Sequence, residues 1–306
     1  MPELPEVETT VKGLIKLKVL NRTFINAWSD WKKVVRLRSN FIGATARQVK
    51  TPKDFELFKK ELKGKKIKKI WRRAKNIIFE LSGGYSLLIH QKMTGHLLYG
   101  TWNMKHGTWE SVKKGPLEEK INLFIHLLFT LDNGKMIALS DYRKFAKAEL
   151  WKTEELLNSP EFKNLGPEPL EKSFTFAVFK KALQGKRGKV KQVIMVPEVI
   201  AGIGNIYSSE ALWWAKIHPQ KDVSKLNEKE LKLLYGAIKK VLLTGVVLGG
   251  ESFADYRNIE GEKGHFDDER KVYKREKQPC FRCEESIVRL KFGGRSAFFC
   301  PKCQRL

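Results

Sequence analysis

All four cysteines of this 306-residue chain fall at its C-terminal end, as Cys280-x-x-Cys283 and Cys300-x-x-Cys303, with sixteen residues between the pairs. No other feature narrows the fold as much. Two CxxC turns separated by one hairpin's length have the spacing of a tetrahedral thiolate site for zinc. The intervening residues suit that hairpin: "SIVRLKF" is strand-like, "GGR" turns the chain, and "SAFF" brings it back. Two disulfides are the competing use of four cysteines, and they require an oxidising compartment. Glu3, Glu6 and Glu8 stand where an export signal needs a basic segment, so nothing supports that compartment. The expectation is one structural Zn2+ held by Cys280, Cys283, Cys300 and Cys303.

Charge indicates the class of partner. Lys and Arg number 59 against 34 acids, a net of +25. Such a surface attracts polyanions, nucleic acid first among them, while a solubilising lysine coat accounts for part of the excess. No run of about eighteen apolar residues is present, which argues against a membrane-spanning helix. The expected setting is the cytoplasm, in association with the nucleoid. The expected state is a monomer with no membrane partner.

Residues 3–19 carry Leu4, Val7, Val11, Leu14 and Ile15 at helical spacing. From 22 to about 150 the texture changes to short strands and turn signals, with hairpins around Gly83-Gly84 and Asn133-Gly134. Repeated short strands of this kind predict a sandwich or barrel. "NSPEFKNLGPEPLEKS" is punctuated by Pro and Gly and marks a boundary. Helical texture follows in "SFTFAVFKKALQ" and in a run interrupted near Pro197 and at Gly202–Gly204. "NEKELKLLYGAIKKVLLTGVVL" is an amphipathic helix in which Asn227 and Glu230 have capping-box spacing. Residues 249–277 read as a polar loop. The predicted fold is α+β and multi-domain: a helix plus antiparallel β-sandwich over 1–150, a helical domain over 151–270, and a zinc hairpin over 271–306.

Four stretches carry chemistry. The chain opens "MPELPEVET". Once Met1 is removed, Pro2 becomes a secondary amine beside the carboxylate of Glu3. An α-amino group has a pKa near ~8, so a useful fraction is unprotonated at neutral pH. Attack on an electrophilic carbon then gives an iminium, a permanent cation that withdraws electrons from neighbouring bonds. The plainer reading of Glu3 and Glu6 is compensation of a helix dipole. In "AGIGNIYSSEAL", Gly202 and Gly204 precede a helix N-terminus, a place that suits phosphate. In "HQKMTG" and "DYRKF", Met93, Arg143 and Phe145 follow strands and have the apolar-plus-arginine character of a wedge that fills the gap left by an extruded base. A helix-breaking loop is the plainer reading of the glycine segment, and core packing that of Met93 and Phe145.

Taken together and in order, these stretches resemble the formamidopyrimidine-DNA glycosylase family, which shares its fold with the endonuclease VIII enzymes. The resemblance runs through "PELPEVE", "RRAKNIIFEL", "HQKMTG", "DYRKF", "NLGPEPL", "AGIGNIYSSEAL", "HP" at 218–219 and the terminal CxxC…CxxCQ. It implies an N-terminal helix on a β-sandwich, a helix–two-turns–helix domain with a lesion-capping loop, and a zinc finger. It implies a glycosylase and abasic-site lyase of base-excision repair, acting on double-stranded DNA that contains oxidised bases or abasic sites. Pro2 would be the nucleophile, Glu3 the general acid and base, and Lys75 a lysine at the active site, with Glu6 a further active-site acid. His90, Asn205 and Arg295 would bind phosphates, and Met93, Arg143 and Phe145 would intercalate. "NIEGEKGHFDDERKVYKRE" would cap the lesion, with Tyr273 and Arg275 as DNA-contacting positions.

Departures from the family pattern lie near the wedge and the pocket. Gln91-Lys92 stands where Leu-Gly is common, and Tyr142, Lys144 and Ala146 replace Pro, Arg and Gly. Pro197 lies in a stretch lacking the usual Asp/Asn-Gln, and Lys274 replaces a glycine. The wedge triad and Leu4 favour the oxidised-purine branch over an endonuclease VIII-type enzyme for oxidised pyrimidines. A non-catalytic damaged-DNA-binding protein explains the charge equally well, but gives no reason for Pro2, Glu3 and Lys75.

Overall fold

A computed structural model describes residues 1–38, 47–48, 51–252 and 255–306. The described residues form two compact units. The first comprises Met1–Pro2, Glu6–Lys163 and Gly249–Gly264; the second comprises Glu3–Pro5, Asn164–Leu248 and His265–Leu306. Helix α1 (Leu4–Lys16) begins the chain. It ends where Lys18 takes the left-handed conformation at φ 56°.

In the first unit the strands are β1 (Phe24–Trp28), β2 (Val35–Arg38), β3 (Arg47–Gln48), β4 (Ile67–Arg73), β5 (Asn76–Leu81), β6 (Tyr85–His90), β7 (His96–Gly100), β8 (Trp102–Lys105), β9 (Thr108–Ser111), β10 (Ile125–Leu131), β11 (Met136–Ser140) and β12 (Lys147–Lys152). Helix α2 (Pro52–Leu62) precedes β4, and the short α3 (Thr153–Asn158) and α4 (Pro160–Lys163) follow β12. One sheet has the order β1-β10-β11-β7 and the other β3-β2-β12-β6-β5-β4. Both expected hairpins are present. Gly83 and Gly84 join β5 to β6 at φ 74° and 72°, and Gly134 turns β10 into β11 at φ 73°. Alternation sends Leu127, Phe129 and Leu131 inward. Phe24 meets Phe129 edge-on at 5.5 Å and Phe79 at 6.4 Å. This buried cluster is the core of the sandwich.

The second unit contains α5 (Phe176–Leu183), α6 (Val190–Ile194), α7 (Asn205–Ala215), α8 (Glu228–Val247) and a four-residue α9 (Phe266–Glu269). Asn227 and Glu230 form the predicted capping box of α8. Strands β13 (Val288–Phe292) and β14 (Arg295–Phe299) make the expected terminal hairpin. Its turn is Gly293-Gly294 alone, both at positive φ, so Arg295 opens the return strand instead of belonging to the turn. Residues 249–277 are not wholly loop, because α9 lies within them. The first part of that stretch, Gly249–Gly264, belongs to the first unit, and Phe253 and Ala254 lie outside the described residues. Among the described residues no helix is long and apolar enough to cross a membrane.

Candidate functional site

Helix α7 has Gly204 at its cap position and no side-chain cap there. Its leading amides are taken by a residue from the other end of the sequence. Ile206 N–H donates to Glu3 Oε1 at 3.0 Å and Tyr207 N–H to Oε2 at 3.4 Å. Glu3 is 2% exposed. A carboxylate at this place gains both from the unsatisfied donors and from the helix dipole. Gly204 is needed for space: a Cβ there would lie 2.3 Å from the Glu3 carboxyl carbon. Gly202 supplies the turn at φ 85°, and its carbonyl accepts Leu4 N–H at 3.1 Å. The glycine turn is therefore as read from the sequence, but the expectation of amides open to phosphate is corrected. Glu3 occupies two of them.

Under the same helix terminus lies a residue that motif reading missed. Lys191, on α6, is buried, and its Nζ donates to Asn205 O at 3.0 Å, Ser208 Oγ at 2.7 Å and Ser209 Oγ at 2.8 Å. Burial lowers its pKa to about 7; Glu3 opposes the shift and Arg295 adds to it. The available signal was a single lysine inside the apolar run "VKQVIMV" just before the glycine turn. Lys191 and exposed Arg295 both line a cavity of about 250 Å³ with Gln192, Met195 and Phe292. Asn205 is half-buried at the start of α7, and its side-chain Oδ1 is buried without a hydrogen-bond partner.

In the first unit, Pro2 is buried behind exposed Met1. Glu6 is buried as well, and its Oε1 accepts Glu251 N–H at 2.8 Å while its carbonyl accepts Tyr256 Oη at 3.0 Å. A Cβ on Gly250 would come within 2.8 Å of the Glu6 side chain. Glu6 thus anchors the segment around Gly250. Lys75 sits in the turn between β4 and β5, and the next residue, Asn76, pairs with His90 on β6. Burial lowers the His90 pKa to about 3, with Lys92, Lys147 and Lys75 acting in the same direction. His90 is therefore a neutral imidazole at physiological pH, and Nδ1 accepts Lys92 N–H at 2.9 Å. Only its Nε2–H remains to donate to an anion. Met93 and Phe145 are 41% and 51% exposed, and the Arg143 guanidinium stacks 4.8 Å from the Phe145 ring.

The four cysteine sulfurs lie within 4.8 Å of one another, with Cys283–Cys300 at 3.4 Å and Cys283–Cys303 at 3.3 Å. A zinc tetrahedron with Zn–S of about 2.3 Å has an edge of about 3.8 Å, so the set fits the ion. The surrounding groups suit thiolates. Trp213 Nε1–H points at Cys280 Sγ at 3.4 Å, and the Arg282 guanidinium covers the Trp213 ring at 3.7 Å. Gln304 is buried and ties Cys300 N to Ile217 O. Tyr273 rests edge-on against Phe298 at 5.2 Å, and buried Glu210 receives the amides of Lys271, Val272 and Tyr273. Arg275 is engaged within the unit, bonding Gln278, the carbonyls of Lys271 and Pro279, and the face of Phe281.

Three family models match the chain. They are the formamidopyrimidine-DNA glycosylase N-terminal domain over residues 1–148, the formamidopyrimidine-DNA glycosylase H2TH domain over 165–256, and a zinc finger found in FPG and IleRS over 277–306. Among curated proteins, a formamidopyrimidine-DNA glycosylase from Desulforamulus reducens is 36% identical over 306 residues, covering 100% of this chain and 99% of that one. The Streptococcus thermophilus protein of the same name is 34% identical over 311 residues, covering 100% of both. Solved structures of the Lactococcus lactis enzyme are similar throughout. A complex with DNA containing Fapy-dG has a TM-score of 0.81 at 32% identity, covering 100% of both chains. A complex with abasic-site DNA has a TM-score of 0.81 at 31% identity, covering 99% of this chain and 100% of the other.

Proposed function

We propose, from the premise that the chain belongs to the formamidopyrimidine-DNA glycosylase family, that it excises oxidised purines from duplex DNA and then cleaves the backbone as a lyase. The observation that carries the reading is the placement of Glu3. Its carboxylate, one residue from Pro2, is held by the amides of α7 and cannot swing away. A group fixed in this way moves protons without first paying for its own reorganisation.

With Met1 removed, the Pro2 nitrogen has a lone pair and attacks the sugar's anomeric carbon of an extruded nucleotide. The N–C bond forms as the glycosidic bond breaks, and the base departs with its electron pair. Glu3 shuttles protons between the amine, the sugar and the leaving base. The sugar ring then opens: the C1′–O4′ bond breaks and O4′ takes a proton from Glu3, leaving an iminium at C1′. This acidifies the C2′–H, and proton loss there expels the 3′ phosphate. A second elimination expels the 5′ phosphate. Lys75 and neutral His90, at one end of the β5–β6 pair, would contact the DNA backbone beside the lesion. Asn205 and Arg295 are assigned to phosphates, and the zinc ion holds the hairpin that presents Arg295.

Borohydride trapping on oligonucleotides bearing 8-oxoguanine, formamidopyrimidine, thymine glycol or an abasic site tests this. Covalent capture is expected on the two purine lesions and the abasic site. Preferential capture on thymine glycol would instead place the enzyme with oxidised-pyrimidine glycosylases.

Two further results are expected. Phosphate arriving beside Lys191 and Arg295 raises the Lys191 pKa from about 7, so binding takes up a proton above that pH. DNA affinity should therefore fall as pH rises from ~7 to ~9, by at most about tenfold per pH unit for one proton. The slope should vanish in Lys191→Met, as fluorescence titrations at several pH values would reveal. Phe145→Ala should slow lesion excision by about 10- to 100-fold, because unstacking a paired base costs a few kcal/mol. Cleavage at a preformed abasic site should slow much less; equal losses would mean that Phe145 contacts DNA without driving extrusion.

A further inference from the structure

Met93 and the Arg143–Phe145 pair lie on separate loops, 50 residues apart in sequence. One buried carboxylate touches both loops. Asp141 is fully buried, and its Oδ1 accepts the Thr94 hydroxyl at 2.5 Å. Its Oδ2 accepts the amides of Phe145 and Ala146, each at 2.7 Å. The Thr94 Oγ1 in turn accepts Arg143 N–H at 3.1 Å, closing a ring of bonds between the loops. Asp141 is itself fixed, since its amide donates to Phe124 O at 2.9 Å and its carbonyl accepts Lys144 N–H at 3.0 Å. Both loops also carry a lysine in the left-handed region, Lys92 at φ 56° and Lys144 at φ 57°. Non-glycine residues stay there only when surrounding contacts hold them.

We infer that Asp141 is a positioning residue that, with Thr94, makes the two wedge loops one rigid body, so that Met93, Arg143 and Phe145 enter the duplex together. The inference rests on the proposed glycosylase reading. Charge-assisted bonds inside a dry site are the strong ones, and a carboxylate is the smallest group that accepts on both sides at once. An amide in its place keeps one acceptor oxygen for the Phe145 and Ala146 amides and meets the Thr94 hydroxyl only as a neutral donor, so the charge assistance is lost on both sides.

The test uses the full-length, zinc-loaded protein with Thr94→Val, Asp141→Asn and the double variant, and Thr94→Ser as the conservative control. Thr94→Val and Asp141→Asn should each lower excision of 8-oxoguanine from duplex by roughly 10- to 100-fold, the range for losing one hydrogen bond to a charged group. Cleavage of a preformed abasic site should change less than about threefold, and the double variant should be no worse than Asp141→Asn, as expected for one shared network. Thr94→Ser should restore the wild-type ratio. If Asp141→Asn fails to fold, the Thr94 pair decides alone. Wedge insertion is also read without catalysis, from the fluorescence of 2-aminopurine opposite an uncleavable abasic analogue, which should drop in the variants at unchanged affinity. Equal losses on lesion and abasic substrates, or normal 2-aminopurine fluorescence in the variants, would overturn the inference. A wild-type protein that inserts its wedge yet excises nothing would overturn the glycosylase reading and leave the role of Asp141 standing.

Discussion

Glu3→Gln is expected to lower excision of 8-oxoguanine by about 10²- to 10⁴-fold, the usual contribution of a positioned acid or base. DNA affinity should stay close to wild type. The amide oxygen still accepts from Ile206 N–H, where the carboxylate accepts at 3.0 Å, so the helix terminus keeps its cap while proton transfer is lost. Cleavage at a preformed abasic site should fall less than excision, since the amine of Pro2 survives. Gly204→Ala should mimic the loss by another route, because a Cβ 2.3 Å from the Glu3 carboxyl carbon forces the group off the α7 amides. Single-turnover rates on lesion and abasic oligonucleotides measure both. Mass spectrometry of active enzyme should find a chain that begins at Pro2, with the borohydride adduct on that residue. Capture on Lys75 would reject the assignment of the nucleophile.

Zinc removal should have the second large effect. Cys300→Ser, or chelation of the wild-type protein, should unfold β13 and β14, because such a hairpin has little core apart from its metal and apparent zinc binding contributes about 10–16 kcal/mol in isolated fingers. The buried groups that depend on it are specific: Trp213 against Cys280, and Gln304 between Cys300 and Ile217. DNA affinity should fall by about tenfold or more at moderate salt, as the hairpin that presents Arg295 to phosphate is lost. The salt dependence should flatten. The sandwich core around Phe24, Phe79 and Phe129 contains no part of the zinc module, and its melting should persist. Titration with a zinc-sensitive dye, followed by DNA binding of the same sample, separates the outcomes. Full affinity in a zinc-free protein would show the hairpin to be dispensable.

Local chemistry made much of this protein legible. The CxxC pairs announce a metal because tetrahedral ligation needs that spacing. Gly83-Gly84 and Asn133-Gly134 announce hairpins because positive φ is cheap there. Asn227 and Glu230 announce a helix start because reciprocal capping is a three-residue event. Pro2 and Glu3 are visible as candidates because the proposed chemistry depends only on Pro2 becoming the terminus and Glu3 standing next to it. Departures such as Lys92 were visible too, and the structure shows that this lysine takes the positive φ that a glycine would take without strain.

Tertiary structure decided what the polar groups are for. Glu3 and Ile206 lie 203 residues apart, and neither residue's local pattern says that one caps the other. Lys191 reads as one cation in an apolar run until packing takes it out of water and brings two serine hydroxyls to its amine. Asp141 sits in a motif noticed for its neighbours, and only folding places Thr94 against it. The physical reason is common to all three. Periodicity and turn chemistry report on bonds that close within a few residues, whereas a buried polar side chain takes its partner from whichever distant segment the core brings within about 3 Å.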